Sequence, residues 1–444
     1  MDALDELDPV TDALVLLPPG SLRPTDVPRE PDAADIDLPL RANRDFRIVT
    51  IGQGISAIGD GVSLTAMPLL VLALTGSGVQ MGIVGILGHL PDLLFGLPAG
   101  AWADRLDRRR MMLGADLARA ILTALIPLSV LVGIPTMGVV LLVAFPISVG
   151  RVFFMAAWTA AVPNLVGRPQ IARATSILEA FNSASFIIGP ALAGVLVSQI
   201  GAAQTLALDA ASFAISAASL SLVHRPLRSS RPPAQRHLLV EIREGVRYIR
   251  QNEVLRLAIG LFAVDGICLA PVISAMTFYI TLDRGLGPAS LGFVIAAYSV
   301  GSLAGALATG RLVRDEVGPL LLLSNLASGV AILGLSFAAS LAPMFLLAFM
   351  LGVAQGIVVV VYLTLRAKLT PDRLLGRVGS TARTLSGGLQ PIGFVIGGLL
   401  LDLVGGATTL AVIAAGLIVS TALFALSSEL RGARLEPRLP AATA

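Results

Sequence analysis

Carboxylates and arginines interrupt the apolar stretches of this chain, and residues of these types could carry protons through a membrane. They are Asp60, Asp92, Asp116, Arg119, Arg151, Glu179, Asp209 and Asp265. On insertion scales, an Asp or Arg at the centre of a membrane helix costs about 2.5–3.5 kcal/mol, so such residues face the bundle interior or water. We therefore predict that these side chains mark a pathway through the protein.

Asp60 and Arg151 lie near the middle of two of these runs. A desolvated carboxylate beside an arginine can alternate between protonation states during a transport cycle. Asp60 is therefore predicted to couple a proton, with Arg151 as its counter-charge. A static structural pair is the alternative. Asp265 is the corresponding candidate in the second half of the chain.

The composition places these residues in a membrane protein. Of 444 residues, 55% are hydrophobic and 14% charged, with a mean hydropathy of +0.83, whereas soluble chains carry about 25% charged residues. The single cysteine, Cys268, and the single lysine, Lys368, exclude a disulfide framework, a thiolate metal site and a GxxxxGK[ST] phosphate loop. We expect no enzyme activity, cofactor, metal or nucleic-acid partner.

Apolar runs of about 20 residues are long enough to cross a bilayer as helices, and they lack the alternation of barrel strands. The predicted fold is all-α and integral to the membrane, with twelve transmembrane helices arranged as two six-helix pseudo-repeats. The predicted spans are about 46–74, 79–102, 111–132, 137–161, 174–198, 204–223, 255–280, 290–312, 318–339, 343–364, 379–403 and 406–427. The predicted domains are an acidic tail (1–45), an N-terminal bundle (46–223), a linker (224–254), a C-terminal bundle (255–427) and a second tail (428–444).

The tail and the linker are predicted from their composition. Residues 1–40 hold ten acidic residues and seven prolines, which is typical of disorder. In the linker, Leu239, Ile242, Val246 and Ile249 recur at helical spacing. This pattern predicts an amphipathic helix along the cytoplasmic lipid interface, with its arginines facing anionic headgroups.

The basic residues predict the orientation. Nearly all of those between spans fall in every second loop, and the alternate loops contain only Arg284. Loops rich in arginine remain in the cytoplasm, so both termini are predicted to be cytoplasmic. The expected location is the inner (plasma) membrane.

With this topology, the remaining ionisable residues receive separate interpretations. Asp116 and Arg119 are three residues apart near the cytoplasmic end of span 3. We interpret them as a structural pair or as part of a latch. Asp209, near the outer end of span 6, is expected to be hydrated. Asp92 follows a proline whose kink could turn it inward. Glu179 lies within two turns of the cytoplasm, where it could serve proton exit or contact headgroups.

The tip between spans 2 and 3 reads Gly-Ala-Trp-Ala-Asp-Arg-Leu-Asp-Arg-Arg-Arg from Gly100. Asp104 could cap the amino terminus of span 11 near Gly379–Thr381, or it could pair with Arg105 or Arg108. Such a latch would be made in one arrangement of the two halves and broken in the other. A purely topological role for the arginines is the alternative.

The chain resembles the major facilitator superfamily over residues 44–428. Gly100, Asp104, Arg105, Arg108 and Arg109 match the signature G-x-x-x-D-R-x-G-R-[RK], and Asp107 stands where glycine is usual. The Gly59-Asp60 pair and the D-R-x-D-R-R form are similar to the siderophore and macrolide exporter branch. This resemblance implies two halves that rock around a central site, and a tip latch that holds the outward-open state.

A run in span 5 resembles the antiporter signature G-x-x-x-G-P-x-x-G-G of the same superfamily. Gly189, Pro190 and Gly194 match it, while Ser185 and Ala193 replace two of its glycines. The run echoes Pro391-Ile392-Gly393 in span 11, at the offset of about 200 residues that relates the two halves. Close packing of small residues is the alternative explanation.

These observations predict a secondary active transporter that exports a small amphipathic molecule, such as an antibiotic or a siderophore, in exchange for protons. A proton-coupled importer or a lysolipid carrier of the same fold is the alternative. A non-transporting membrane sensor is a remote third hypothesis, because it would not require so many carboxylates in the membrane. The expected partners are the substrate, protons and membrane lipids, and the protein is expected to be a monomer.

Overall fold

The computed structural model describes residues 39–225, 227, 238–313 and 315–435, and these residues are almost entirely helical. The helices of the first half are α1 (Arg44–Thr75), α2 (Gly78–Arg105), α3 (Arg108–Leu131), α4 (Thr136–Val166), α5 (Ile171–Ile200) and α6 (Ala202–Ser221). Most of the two predicted tails and residues 228–237 of the linker lie outside the described residues.

The second half begins with the linker helix, and its longest helix contains a break. Its helices are α7 (Leu238–Gln251), α8 (Glu253–Leu269), α9 (Val272–Phe278), α10 (Pro288–Leu312), α11 (Gly318–Phe337), α12 (Leu341–Leu369), α13 (Leu375–Gly388), α14 (Gln390–Ala425) and α15 (Ser428–Arg431). A π-helical turn, Tyr279–Asp283, continues α9. Within α14, Gly405 has a φ of 77° and a ψ of 176°, a conformation that glycine adopts readily and other residues rarely adopt. The helix is interrupted there and the chain turns.

Ten helical segments of the described residues are long and apolar enough to cross a membrane. One of them, Asp372–Ala425, has 54 residues, over twice the length of about 20 that one span needs, and it contains the break at Gly405. Ala202–Ser221, the predicted sixth span, is not among the ten. The all-helical membrane fold is confirmed, and the count of twelve spans stays a prediction.

Large apolar side chains cover the outside of the bundle. Leu131, Leu142, Phe337 and Leu403 are each 73–77% exposed. A water-soluble surface rarely presents such side chains in this density, whereas a lipid-facing surface does.

The first three helices begin at polar caps. Asn43 accepts a hydrogen bond from the backbone N–H of Phe46 (3.0 Å), and Ser77 accepts one from that of Gln80 (3.3 Å). Asp107 occupies the usual glycine position of the tip signature, and its Oδ1 accepts from the N–H groups of Arg109 (3.1 Å) and Arg110 (3.3 Å). Aspartate at this position therefore starts α3 as a helix cap.

Two arginines of the tip connect neighbouring helices. Arg108 is buried, and it donates to the carbonyls of Ala103 (3.1 Å) and Ala160 (2.9 Å). Arg109 donates through Nε to the carbonyl of Leu220 (2.9 Å) and also reaches that of Ser221, in the last turn of α6. Leu220 and Ser221 lie in the last turn of α6, where carbonyls lack the usual donor four residues further on, so Arg109 satisfies a helix end.

The two halves contact each other mainly along two helix pairs, α2 with α14 and α5 with α10. A Cβ added at Gly398 would lie 2.7 Å from the carbonyl oxygen of Gly78, and one at Gly194 would lie 3.0 Å from Gly292 Cα. The backbones meet because these positions carry no side chain. We call this the sealed end of the bundle, and the end that holds Asp104–Arg110 the arginine-rich end.

The linker helix α7 packs on the protein. Glu244 forms an ion pair with Arg377, and the Tyr248 hydroxyl donates to the carbonyl of Leu369 (2.6 Å). Ile249 is buried in the core of the second half, while Val246 is 37% exposed. The apolar stripe that predicted a lipid-facing helix thus serves in part to dock α7 against α13 and its neighbours.

The tip arginines give the first prediction. Arg109→Ala should lower the free energy of unfolding by about 1–3 kcal/mol, because the two carbonyls at the end of α6 lose a charged donor. Arg110→Ala, the exposed neighbour, should stay within about 0.5 kcal/mol of the parent protein. Thermal unfolding in detergent measures both variants. Equal loss of stability in the two would contradict the assigned contact.

Candidate functional site

A cavity of about 600 Å³ lies between the two halves and is lined by residues from both. Its walls are mainly apolar, with side chains such as Leu64, Met67, Ile147 and Phe394. Its aspartates and arginines belong to the clusters described below. A cavity of this size and lining suits a drug-sized molecule.

A single guanidinium organises the polar wall of the first half. Arg119 of α3 forms an ion pair with Asp60 of α1, and its Nη1 lies 3.7 Å from Asp116 Oδ1. The guanidinium also lies over the ring of Phe213 in α6, 3.7 Å from its centroid. Arg119 is 4% exposed, whereas Asp60 is 47% exposed. Arg119 and Phe213 also line the cavity, and Asp60 is the most exposed charged group of this cluster.

Serines complete the Arg119 cluster and bring Asp209 into it. Ser216 donates to Asp116, and Ser63 donates to Asp209. Asp209 is 3% exposed and packs on α1, where a Cβ at Gly59 would lie 2.6 Å from its Oδ1. The expectation that Asp209 is hydrated near the outer end was therefore wrong, because α1 and α6 pack closely enough there to exclude water.

Arg151 has a different partner from the predicted one. It forms an ion pair with Asp92 of α2, and both side chains are about 40% exposed (39% and 43%). Its Nη2 also lies 3.3 Å from Ser148 Oγ. The predicted Asp60–Arg151 pair is thus absent, because Arg119 reaches Asp60 from α3 while Arg151 extends from α4 towards α2.

The second half places one carboxylate on the cavity. Asp265 of α8 is 3% exposed and accepts a hydrogen bond from Gln355 Nε2 of α12 (3.2 Å). The same amide nitrogen lies 3.0 Å from Ser328 Oγ of α11. In contrast to Asp60, whose partner is a guanidinium, Asp265 has a neutral amide as its hydrogen-bond partner.

The other predicted residues lie away from the cavity. Glu179 is exposed and is not part of the cavity wall. At the arginine-rich end, Asp104 is 62% exposed and lies 3.7 Å from Arg108, and Arg105 is exposed. Gly100 has no heavy atom within 4 Å of the position that a Cβ would take. Asp104 was predicted to cap span 11 or to pair with Arg105 or Arg108. In the structure it lies beside Arg108.

The span 5 run contacts both halves. Gly189 packs on α1, where its Cβ would lie 2.6 Å from Gly61 Cα, and Pro190 is buried beside it. Gly194 packs on α10 at the sealed end, where a Cβ added at Gly194 would lie 2.7 Å from the carbonyl oxygen of Pro288. The run therefore joins α5 to its own half through one glycine and to the other half through the next.

A carboxylate also closes the sealed end. Asp402 of α14 accepts hydrogen bonds from Ser77 Oγ (2.8 Å), from the N–H of Val79 (3.1 Å) and from that of Gly78. It therefore caps the first turn of α2 from the opposite half of the protein. Sequence reasoning missed this residue, because an aspartate beside a loop carries no signal of a distant helix terminus.

Sequence reasoning also missed Arg119 as the partner of Asp60. Because α3 begins at Arg108, Arg119 lies about 17 Å along the helix at about 1.5 Å per residue. That is near the middle of a hydrocarbon core of about 30 Å. Counting depth from the start of α3, rather than from the first apolar residue, would have placed Arg119 at the level of Asp60.

A family model described as a transmembrane secretion effector matches residues 38–438. The chain belongs to this family of the major facilitator superfamily. The geometry above is therefore that of a multi-pass membrane transporter, in which two helical halves enclose a site for a small molecule.

Its relatives are efflux proteins. The multidrug efflux pump Tap of Mycolicibacterium fortuitum is 30% identical over 373 residues, which are 81% of this chain and 88% of Tap. The macrolide efflux protein A of Streptococcus pyogenes is 26% identical over 369 residues, 81% of this chain and 90% of that protein. The secretion effector described here is accordingly a transporter of the efflux type.

Solved structures support the same fold. The crystal structure of the nucleoside transporter NupG aligns with 86% of this chain and 98% of its own, with a TM-score of 0.72 and 12% identity. At this identity the likeness concerns the arrangement of helices alone.

The Arg119 cluster gives the second prediction. Arg119→Ala should lower the free energy of unfolding by about 3–5 kcal/mol, because it leaves the buried carboxylate of Asp116 without its cation. Arg151→Ala, which breaks a half-exposed pair, should cost less than about 1 kcal/mol. The yield of monodisperse protein and the thermal midpoint in detergent measure the difference. Similar losses for both variants would show that Arg119 does not hold the first half together.

Proposed function

We propose that this secretion effector exports small amphipathic molecules, such as antibiotics or siderophores, from the bacterial cytoplasm in exchange for protons. It would act in the inner membrane with both termini in the cytoplasm. The efflux proteins among its relatives and the mainly apolar cavity support the substrate class. The orientation rests on the arginines of every second loop.

The exposure of Asp60 carries the proposal of proton coupling. Asp116 and Asp209 belong to the same cluster, but they are 0% and 3% exposed. Asp60 is 47% exposed while it remains bound to Arg119, so it is the carboxylate of this cluster to which water has the most access. We assign the coupling role to Asp60, and Arg119 takes the place of Arg151 as its counter-charge.

The charge balance of the cluster supports this role. Three carboxylates, Asp60, Asp116 and Asp209, share the surroundings of one guanidinium, that of Arg119. At membrane depth, surplus negative charge is expensive, so the cluster favours a further positive charge. A proton on Asp60 supplies that charge, and its release frees Asp60 for the next cycle.

The contacts between the halves support alternating access. With the arginine-rich end in the cytoplasm, the sealed end closes the outer side, and the present arrangement corresponds to an inward-open state. Asp104 is paired within its own hairpin in this state, and it would be free to cap α13 when the cytoplasmic side closes. Asp402 and Asp104 would thus cap helix termini of the opposite half in opposite states.

An exchange assay tests the coupling. Inside-out vesicles with an acid interior would be followed with a pH-quenched dye while antibiotics, dyes and siderophores are added singly. We expect a substrate to discharge the gradient with the parent protein and with Asp283→Asn, which removes a carboxylate outside the cavity wall. Asp60→Asn should abolish this discharge, because the exchangeable proton site is gone.

The assay also separates the alternatives. Equal discharge by Asp60→Asn would reject Asp60 as the coupling group while leaving the exchanger intact. A gradient that drives substrate out of the inverted vesicles, rather than into them, would favour the importer or lysolipid carrier and reject export.

The outer seal gives a prediction of its own. Asp402→Ala should raise labelling of a cysteine at Leu64 by an impermeant maleimide on intact cells, by about fivefold or more, in a Cys268→Ser background. The reason is that three hydrogen bonds of the inward-open state are lost. Asp283→Ala is the matched control, because Asp283 caps a helix within one half, at the N–H of Ala407 (2.9 Å). Equal labelling of the two variants would contradict a latch at Asp402.

A further inference from the structure

The two halves can be compared residue by residue, since they repeat at an offset of about 205 positions. Asp60 of α1 corresponds to Asp265 of α8 in this register. The arginine of α4, Arg151, corresponds to Gln355 of α12, and Arg119 of α3 corresponds to Asn325 of α11. The second half therefore keeps the carboxylate and replaces both arginines by amides.

The contacts of these amides differ from those of the arginines, because Gln355, the equivalent of Arg151, is the residue that approaches the carboxylate. Gln355 Nε2 lies 3.2 Å from Asp265 Oδ1, and Asn325 Nδ2 donates to Thr421 Oγ1 (3.1 Å), on the helix equivalent to α6. Within the described part of the chain, no arginine, lysine or histidine lies within ion-pair distance of Asp265. The hydrogen bond of a neutral amide therefore provides this carboxyl group with no counter-charge.

An uncompensated carboxylate on a cavity wall has a chemical consequence. Burying a charge without a partner costs several kcal/mol, and the cost falls when a cation arrives with the cargo. Two aromatic side chains, Phe262 and Tyr298, line the same cavity as Asp265. Aromatic faces beside a carboxylate favour an organic cation over an inorganic one, because the ring and the apolar walls bind its hydrocarbon part.

We propose that Asp265 binds the cationic group of the exported molecule, so that the substrates are amphipathic organic cations. This inference rests on the proposed export function and adds its substrate class. The two carboxylates then divide the work between the halves: Asp60, held by Arg119, exchanges the proton, and Asp265, held by an amide, receives the cargo.

Equilibrium binding to the purified full-length protein in detergent tests this assignment without any gradient. The probes are methyltriphenylphosphonium, a cation, and triphenylphosphine oxide, a neutral molecule of nearly the same shape. Isothermal titration calorimetry should show that the parent protein binds the cation at least about tenfold more tightly than the neutral probe. Asp265→Asn should remove this preference, whereas Asp283→Asn, which removes an equal charge away from the cavity wall, should retain it.

A second variant keeps the test valid if Asp265→Asn does not fold. Gln355→Arg gives the second half the guanidinium that Arg151 provides at the equivalent position, directly beside Asp265. It should weaken binding of the cation at least about tenfold, because the carboxylate already has a partner. Size-exclusion profiles and thermal midpoints establish that each variant is folded.

The outcomes separate this inference from the proposed function. Unchanged cation binding in folded Asp265→Asn or Gln355→Arg protein would overturn the assignment, as would equal affinity of the parent protein for the two probes. Absence of binding by both probes, in a protein that discharges a proton gradient with another substrate, would overturn the cationic substrate class and leave antiport standing. If the parent protein binds the cation but shows no antiport, proton coupling is rejected and the Asp265 site is retained.

Discussion

The structure of the first half depends on one constraint, that a charge at membrane depth must be neutralised by its neighbours. Arg119 meets this constraint for three helices at once: it pairs with Asp60 of α1, lies near Asp116 on its own helix and covers Phe213 of α6. If α1 moved away from α3, the Asp60–Arg119 ion pair would break, and if α6 moved away, Arg119 would lose the ring of Phe213 and Asp116 the hydrogen bond of Ser216. The first half is therefore expected to move as one body, with Asp60 as its accessible charged group in the cluster.

Contacts between the halves are built on different physics. Inside the first half, ion pairs and serine hydrogen bonds hold helices together, and these are costly to break. Across the sealed end, glycine backbones meet at Gly194 with Gly292 and at Gly82 with Gly398, and only the cap at Asp402 is charged. Packing of small residues in lipid gives modest association energy. Glycine packing also occurs within each half, as at Gly61 with Gly189, so the feature that distinguishes the first half is the set of ion pairs around Arg119.

The sequence predicted the elements well and their contacts poorly. Spans follow from runs of apolar residues, so the run at 137–161 corresponds to α4 (Thr136–Val166), and the linker pattern corresponds to α7. The partner of Asp60 depends instead on the depth and rotation of three helices, and a shift of a few residues in the start of α3 was enough to hide Arg119. Long-range caps such as Asp402 on α2 join residues over 320 positions apart, and no local pattern encodes that meeting.

Two patterns can be recognised in the sequence, but the sequence does not show which contacts they make. Gly301 with Gly305 and Gly352 with Gly356 are each spaced as G-x-x-x-G, the pattern that lets two membrane helices approach closely, and α10 packs on α12 through these four positions. The internal repeat is the second signal, since it pairs Asp60 with Asp265. A repeat alone implies equal roles for the two carboxylates. The neighbours of the two groups break that equality, because Asp60 pairs with the guanidinium of Arg119 whereas Asp265 accepts a hydrogen bond from the neutral amide of Gln355. The asymmetry of the site therefore arises from side-chain chemistry on a symmetric scaffold.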